Sequence, residues 1–254
     1  MEKEIVSRDN RIFKETRKLA QKKYRDETSS YIVEGITLVK EAFLFKNMIK
    51  YLVIQESKKD ELFKEIDFKK YDLYVMKDSL FIKVAQTATS QGVLAVLSKK
   101  EGTNLPEEGN LLIIDRLQDP GNMGTLIRTA EATGYKGVVI MKGSADVFSL
   151  KVQRASSGSL FRVPVIFYED EKELVKDIKE SGRSVVVTDL KEGKAVFELY
   201  LKMPIALVIG NEGEGVSAYF LDNSDYKVII PMKGEVESLN AAVAGSILMY
   251  ETAR

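Results

Sequence analysis

Residues 229–244 read IIPMKGEVESLNAAVA. Val228, Ile229 and Ile230 look like the end of an apolar strand, stopped at Pro231. A polar loop containing Gly234 follows. Ser238, Leu239 and Asn240 then open a small-residue helix, AAVAGSILMY. Main-chain polar groups at a strand end and a helix start are not paired by the element itself. A loop joining two such ends can grip a small ligand with its backbone. It can equally be an ordinary strand-to-helix connection capped by Ser238, and the stretch alone leaves both readings open.

Working outward, the stretch is the last unit of an alternation. Residues 111–115, 137–141, 164–168, 184–188, 205–209 and 226–230 are apolar runs without polar alternation. Between them, helical patterns cover 123–133, 147–157 and 171–181, with a helical turn at 216–220 and a last helix at 240–251. Gly134 is a left-handed stop for the first of these helices. Continuous apolar strands separated by helices predict a parallel sheet covered on both faces. Before it, residues 98–110 (SKKEGTNLPEEGN) combine Gly, Pro and charge without periodicity and read as a linker. We assign residues 1–98 to a first domain, 99–110 to the linker and 111–254 to a second domain.

The first domain also reads as α/β. Residues 8–24 place Ile12, Phe13, Thr16, Leu19 and Ala20 on one helical face, with Ser7 as the expected N-cap. Arg8, Arg11, Lys14, Arg17, Lys18, Lys22 and Lys23 line the opposite face. Strands are expected at 31–34, 51–55, 73–76 and 92–97. Helices are expected at 36–45, 60–68 and 79–85, the last capped by Asp78.

Composition narrows the chemistry. A chain of 254 residues with 44% apolar and 30% charged residues is globular and can hold two modest domains. No apolar run approaches the ~20 residues of a membrane span. The start, MEKEIVSRDNRIFK, lacks an apolar signal region and reads as a cytoplasmic terminus. Cysteine and histidine are both absent. That excludes disulfides, zinc–thiolate sites, cysteine nucleophiles and the commonest general base, and we expect no metal. Charge is uneven: residues 1–100 carry 21 Lys and Arg against 15 Asp and Glu, and the remainder 17 against 23. A basic N-terminal half points to a polyanion partner or to a solvated helix face. Tyr24, Tyr31 and Tyr51 could stack on bases, but core packing is the preferred reading for each.

Three loops in the second domain share a character rich in Gly, Asn and acidic residues. They lie in DRLQDPGNMGTLIRTAEATG (115–134), LVIGNEGEGV (207–216) and the opening stretch. Ligands of open parallel sheets bind beyond the strand C-termini. GNEGEG lacks both the GxGxxG spacing and the lysine of a phosphate loop. Its glutamates suit a cationic or neutral ligand better.

DPGNMGTLIRTA, LVIGNEGEGV and IPMKGEVESLNAAVA resemble the three motifs of the SpoU/TrmH group of the SPOUT superfamily. These are RNA ribose 2′-O-methyltransferases that use S-adenosylmethionine. VEGITLVKEA (33–42) and SQGVLAV (90–96) resemble the ribosomal-protein-like N-terminal substrate-binding domain of many members. The resemblance implies a deep trefoil knot in the C-terminal domain and a homodimer. It implies main-chain cofactor contacts at Gly210, Ile230 and Leu239, with Thr188, Asn211 and Met232 lining the pocket. It assigns catalytic positions to Asn122, Arg128, Glu212, Ser238 and Asn240, with Ser238 and Asn240 orienting Arg128. Glu212 would hold the loop or a substrate hydroxyl. The expected substrate is structured RNA, with 23S ribosomal RNA favoured over tRNA. A non-catalytic RNA-binding assembly factor is an alternative, and a dehydrogenase-like nucleotide enzyme is disfavoured by the missing glycine fingerprint.

The family proposal makes the motif 1 arginine the base. A guanidinium has a pKa above ~12 and no acceptor while protonated. Gripping an RNA phosphate and the 2′-oxygen is the role that its fixed fork suits best.

Overall fold

The computed structural model describes residues 2–44, 49–99, 102 and 104–253. The chain divides into two compact units, Met1–Lys100 with Phe148–Gln153, and Glu101–Val147 with Arg154–Arg254.

The first unit is built on a five-stranded mixed sheet. Its strands are β1 (Glu2–Ile5), β2 (Ser30–Glu34), β3 (Ile49–Gln55), β4 (Leu73–Met76) and β5 (Val93–Ser98), in the order β1-β4-β3-β5-β2. β4 runs parallel to β1 and β3, whereas β5 is antiparallel to β2 and β3. Helices α1 (Arg11–Lys18), α2 (Lys22–Glu27), α3 (Ile36–Leu44), α4 (Lys59–Glu65) and α5 (Asp78–Phe81) complete it. Ile12, Phe13, Leu19, Val53, Met76 and Phe81 meet in one apolar cluster. Fully burying one such side chain contributes about 1.5–3 kcal/mol. Phe148 and Gln153 group with this unit: the Tyr31 and Phe148 rings lie 4.8 Å apart, and Gln153 Nε2 donates to the Ile32 carbonyl at 2.8 Å.

Several expectations change here. The first helix is two helices. Asn10, not Ser7, caps α1 by accepting from the Ile12 amide, and Ser7 Oγ instead accepts from Asp9 N. The buried Arg25 donates to the carbonyls of Leu19 and Ala20, closing the C-terminus of α1 before α2 begins, and Ala20 is exposed. Asp78 does not cap the helix after it. Its carboxylate accepts from the Ser57 amide at 3.1 Å, and α5 is preceded by Lys77. Tyr31 and Tyr51 are core residues, and Tyr24 packs against the core with Lys18 over its ring. Phe45, the expected end of α3, lies outside the described residues.

The second unit is a seven-stranded sheet in which every pairing is parallel. Its strands are β6 (Leu111–Ile114), β7 (Gly137–Met141), β8 (Val165–Tyr168), β9 (Ser184–Thr188), β10 (Lys194–Ala195), β11 (Ile205–Ile209) and β12 (Tyr226–Ile229). The order is β10-β12-β9-β11-β6-β7-β8. All residues of β6, β7 and β11 are buried, as continuous apolar runs require of strands covered on both faces. The helices are α6 (Pro120–Ala132), the end of α7 (Leu150–Ser156, whose residues 150–153 group with the first unit), α8 (Glu171–Glu180), α9 (Ala218–Asp222) and α10 (Ala241–Thr252).

The helix expected to start at Met123 starts three residues earlier. Asp119 caps it, and Pro120 takes a first-turn position where a missing N–H costs nothing. Gly134 ends it at φ +76°, as expected. α6 packs against α10, where Thr129 and Ser246 hydroxyls lie 3.0 Å apart and Tyr135 and Thr252 hydroxyls 2.7 Å apart. Among the described residues no helix is long and apolar enough to cross a membrane.

Candidate active site

Parallel pairing puts every strand C-terminus of the second unit at one edge. The register sets Ile209 beside Ile114, Val208 beside Val187, and Thr188 beside Val228. The loops leaving β6, β11 and β12 therefore emerge at one edge, with β9 between β11 and β12. The chain leaves β6 toward β7 and leaves β11 toward β12, on opposite sides, so a crevice opens where ligands of such sheets bind.

The loop after β11 is a tight hairpin. Asn211 and Gly215 exchange two backbone hydrogen bonds, at 3.0 and 2.9 Å. Asn211 Oδ1 accepts from the Gly213 and Glu214 amides, and its Nδ2 donates to the Arg116 carbonyl at 2.9 Å. Gly210 is the point of closest approach. A methyl group there would overlap the Gly215 carbonyl carbon and the Val216 nitrogen.

Three side chains tie the loops together. One Glu212 carboxylate oxygen accepts from the Gln118 amide, and the other accepts from the Asp119 amide and Asn122 Nδ2, all at 3.1 Å. Asn122 Oδ1 accepts from Asn240 Nδ2 at 2.9 Å. Asn240 Oδ1 accepts from the amides of Ala242 and Val243, so this residue caps α10. Partial desolvation opposes the charge on Glu212. The donors around it, led by the Gln118 amide, outweigh that and hold its pKa below the usual carboxylate range. Glu212 is a charged brace at neutral pH.

Asp115, fully buried, performs a parallel service. It accepts from Arg116 Nε at 2.9 Å and from the Ser217 amide at 2.8 Å, while Arg116 reaches Glu214 at 3.2 Å.

The loop after β12 is different. Among the described residues, 231–239 make no backbone hydrogen bond with another part of the main chain. Ser238 is exposed, while Ile230, Met232 and Leu239 are half-buried. Gly210 and Thr188 stand at the ends of the neighbouring strands. Free backbone donors and acceptors over half-buried apolar side chains, with Glu235 and Glu237 exposed nearby in sequence, are a donor set for a neutral heterocycle on a cationic ligand. S-adenosylmethionine has that chemistry, so the residues fit it.

Arg128 is exposed on α6, and its Nη1 donates to Ser157 Oγ at 3.4 Å. The expected contacts from Ser238 and Asn240 to Arg128 are absent among the described residues. Asn240 is instead committed to Asn122 and to the start of α10. Gln118, Asp119 and Ser157 join the site without having been expected there. The Asp-Pro pair is a readable cap signal, whereas nothing in the sequence points from Ser157 to Arg128. A depression of about 280 Å³ lined by Asp115, Lys142, Glu169, Asp170 and Tyr219 lies over the ends of β6, β7 and β8. Among the described residues no group of three His, Cys, Asp or Glu side chains could hold a metal ion.

A wholly parallel α/β sheet with three loops linked at its C-terminal edge forms a small-ligand binding edge. Residues 109–250 match the SpoU rRNA Methylase family, and residues 10–95 match the MRM3-like substrate binding domain. A Bacillus subtilis 23S rRNA (guanosine-2′-O)-methyltransferase is 37% identical, over 98% of both chains. The AdoMet-bound rRNA methyltransferase of Sinorhizobium meliloti superposes with TM-score 0.87 at 30% identity, covering 99% of this chain and 97% of that one. AviRb of Streptomyces viridochromogenes, in complex with AdoMet, gives 0.84 at 27%, covering 96% and 97%. The chain belongs to the SpoU rRNA methylase family. It is an RNA ribose 2′-O-methyltransferase, and its cofactor is S-adenosylmethionine.

Proposed function

We propose that the enzyme methylates one ribose 2′-hydroxyl of structured 23S ribosomal RNA, acting as a cytoplasmic homodimer without a metal ion. The observation that carries this reading is the Glu212–Asn122–Asn240 relay, which gathers three distant loops onto the helix bearing Arg128. The full-length similarity to a relative named for 23S rRNA 2′-O-methylation favours rRNA over tRNA. Exposed cations on the first unit fit an RNA partner. Arg17 and Lys22 are exposed on α1 and α2, whereas Arg11, Lys14 and Lys23 are partly offset by Glu15, Asp9 and Glu27.

Bound S-adenosylmethionine supplies a methyl group already activated by its sulfonium. The chain's residues supply position. The main chain at Gly210, Ile230 and Leu239 holds the cofactor, and Thr188, Asn211 and Met232 line its pocket. Glu212 and Asn122 fix the 118–122 loop, and Asn240 carries that order to α10. Arg128 grips the RNA phosphate and the 2′-oxygen, and Ser238 offers its hydroxyl to the same substrate. In-line positioning of this kind supplies a large share of the acceleration. Whether Arg128 also takes the proton is tested by Arg128→Lys. Near-normal single-turnover rates with a shallow pH profile would remove both roles from Arg128.

We place a deep trefoil knot in the second unit, with the loops after β11 and β12 inside it. The match of residues 109–250 to the SpoU rRNA Methylase family supports this placement. Exposed Val243 and Tyr250 on α10 support a second copy as the partner of that helix.

The test is methyl transfer from labelled S-adenosylmethionine to deproteinised rRNA and tRNA from a strain lacking the gene, followed by mapping of alkali-resistant dinucleotides. One resistant dinucleotide in 23S rRNA is expected. Label in tRNA alone would overturn the substrate. Absence of cofactor binding at millimolar concentration would favour a non-catalytic RNA-binding factor.

A further inference from the structure

Glu131 lies three residues beyond Arg128 on α6, a spacing at which opposite charges on a helix meet. Arg128 is the natural partner of this carboxylate. Yet Glu131 is engaged elsewhere. Its Oε1 accepts from Arg162 Nε at 2.6 Å, and its Oε2 accepts from Ser159 Oγ at 2.7 Å and Arg162 Nη2 at 3.2 Å. Among the described residues Arg128 makes no ion pair, and its hydrogen bond is the 3.4 Å contact to Ser157 Oγ. Ser157, Ser159 and Arg162 stand on one short segment between α7 and β8. That segment takes Glu131 with Ser159 and Arg162 and touches Arg128 with Ser157 alone. Ser157 adopts φ +48°, a left-handed conformation that costs a serine energy and is kept where the surroundings require it.

We propose that Arg162 is a positioning residue for methyl transfer. By holding Glu131 it keeps that carboxylate from pairing directly with the Arg128 guanidinium, which feels it only through space and stays open to an RNA anion. This rests on the reading of Arg128 as the residue that grips RNA. Glu131 is a real competitor at neutral pH. The Arg162 hydrogen bond first, then Ser159 and the charges of Arg162 and, least, of Arg128, outweigh partial desolvation and hold its pKa below the usual carboxylate range. Without Arg162, Glu131 turns to the cation one turn away. The loss is then the strength of one exposed ion pair, about three- to fivefold in effective RNA affinity, and it is screened by salt.

The experiment compares Arg162→Ala, Glu131→Gln, the double variant and Arg128→Ala. Each is assayed on 23S rRNA from a strain lacking the enzyme, with melting temperatures recorded alongside. Arg162→Ala should raise the RNA KM about three- to fivefold, leave the S-adenosylmethionine KM unchanged, and recover ground relative to wild type as salt rises. Glu131→Gln alone should match wild type. Adding it to Arg162→Ala should restore the RNA KM, because the competitor is gone. If Arg162→Ala is too unstable to assay, Arg162→Gln with and without Glu131→Gln carries the same comparison. An unchanged RNA KM in the Arg162 variant, or a deficit that persists in the double variant, overturns the proposal. Persistence would mean that Arg162 touches RNA itself. Near-normal activity of Arg128→Ala overturns instead the reading on which the proposal rests.

Discussion

The loops after β6 and β11 differ sharply from the loop after β12, although all three leave the same sheet edge. The first two satisfy one another. Glu212 accepts from two amides and one side chain of the 118–122 loop, and Asn211 binds back to Arg116. The third keeps its main chain, residues 231–239, free of backbone partners among the described residues. Exposed polar backbone costs little while water serves it, and a ligand can take the place of that water. One half of the site is therefore built in advance, and we propose that the cofactor completes the other half.

Substitutions can break this contrast in graded steps. Gly210→Ala should do most, because a methyl group there meets backbone that cannot yield. Overpacking of this kind costs about 1–3 kcal/mol, so we expect a lower melting temperature and loss of cofactor binding by calorimetry. Arg128→Ala should come next, lowering kcat/KM for RNA by about 10²–10³-fold, the scale of losing one charged donor at a reacting oxygen. Cofactor affinity should be unchanged, which binding of S-adenosylhomocysteine would check. Asn122→Ala removes the bridge between Glu212 and Asn240 and should cost about 10-fold in kcat, the scale of one or two net hydrogen bonds. It should also make the first loops behave like the third.

The smallest effect is acid dependence. The folded-state pKa of Glu212 lies below its ordinary value of 4.5. Its contribution to stability is thus fully present above that value and is lost as pH falls through the lowered folded-state pKa. Melting curves of wild type and Glu212→Gln should differ at neutral pH and converge in acid. A constant gap across the range would remove the charge from the account.

Much of the fold is legible in the order of the residues alone. Four strands, β4, β7, β9 and β11, lie where their apolar runs predict them, since buried parallel strands advertise themselves by continuity. β1 and β10 are not legible in this way. β1 is a charged edge strand, Glu2–Ile5, whose neighbour is β4, and β10 has two residues. Neither is long or apolar enough to carry a pattern. Cap signals mislead where long-range partners intervene, as when Ser57 takes the Asp78 carboxylate. The site residues are readable only as motifs. Glu212 and Asn240 bond to Asn122 across 90 and 118 residues of sequence, and no local rule reports such a meeting. The Glu131–Arg162 pair is invisible to sequence reasoning for the same reason.

The contrast between prebuilt and ligand-completed loops is tested most directly by amide hydrogen exchange with and without S-adenosylmethionine. In the free enzyme, the amides of Gln118, Asp119 and Asn122 should already be protected, and those of residues 232–239 should exchange freely. Cofactor should slow the second group by orders of magnitude and leave the first almost unchanged. Equal protection of both groups before cofactor, or no response of residues 232–239 to it, would contradict the account.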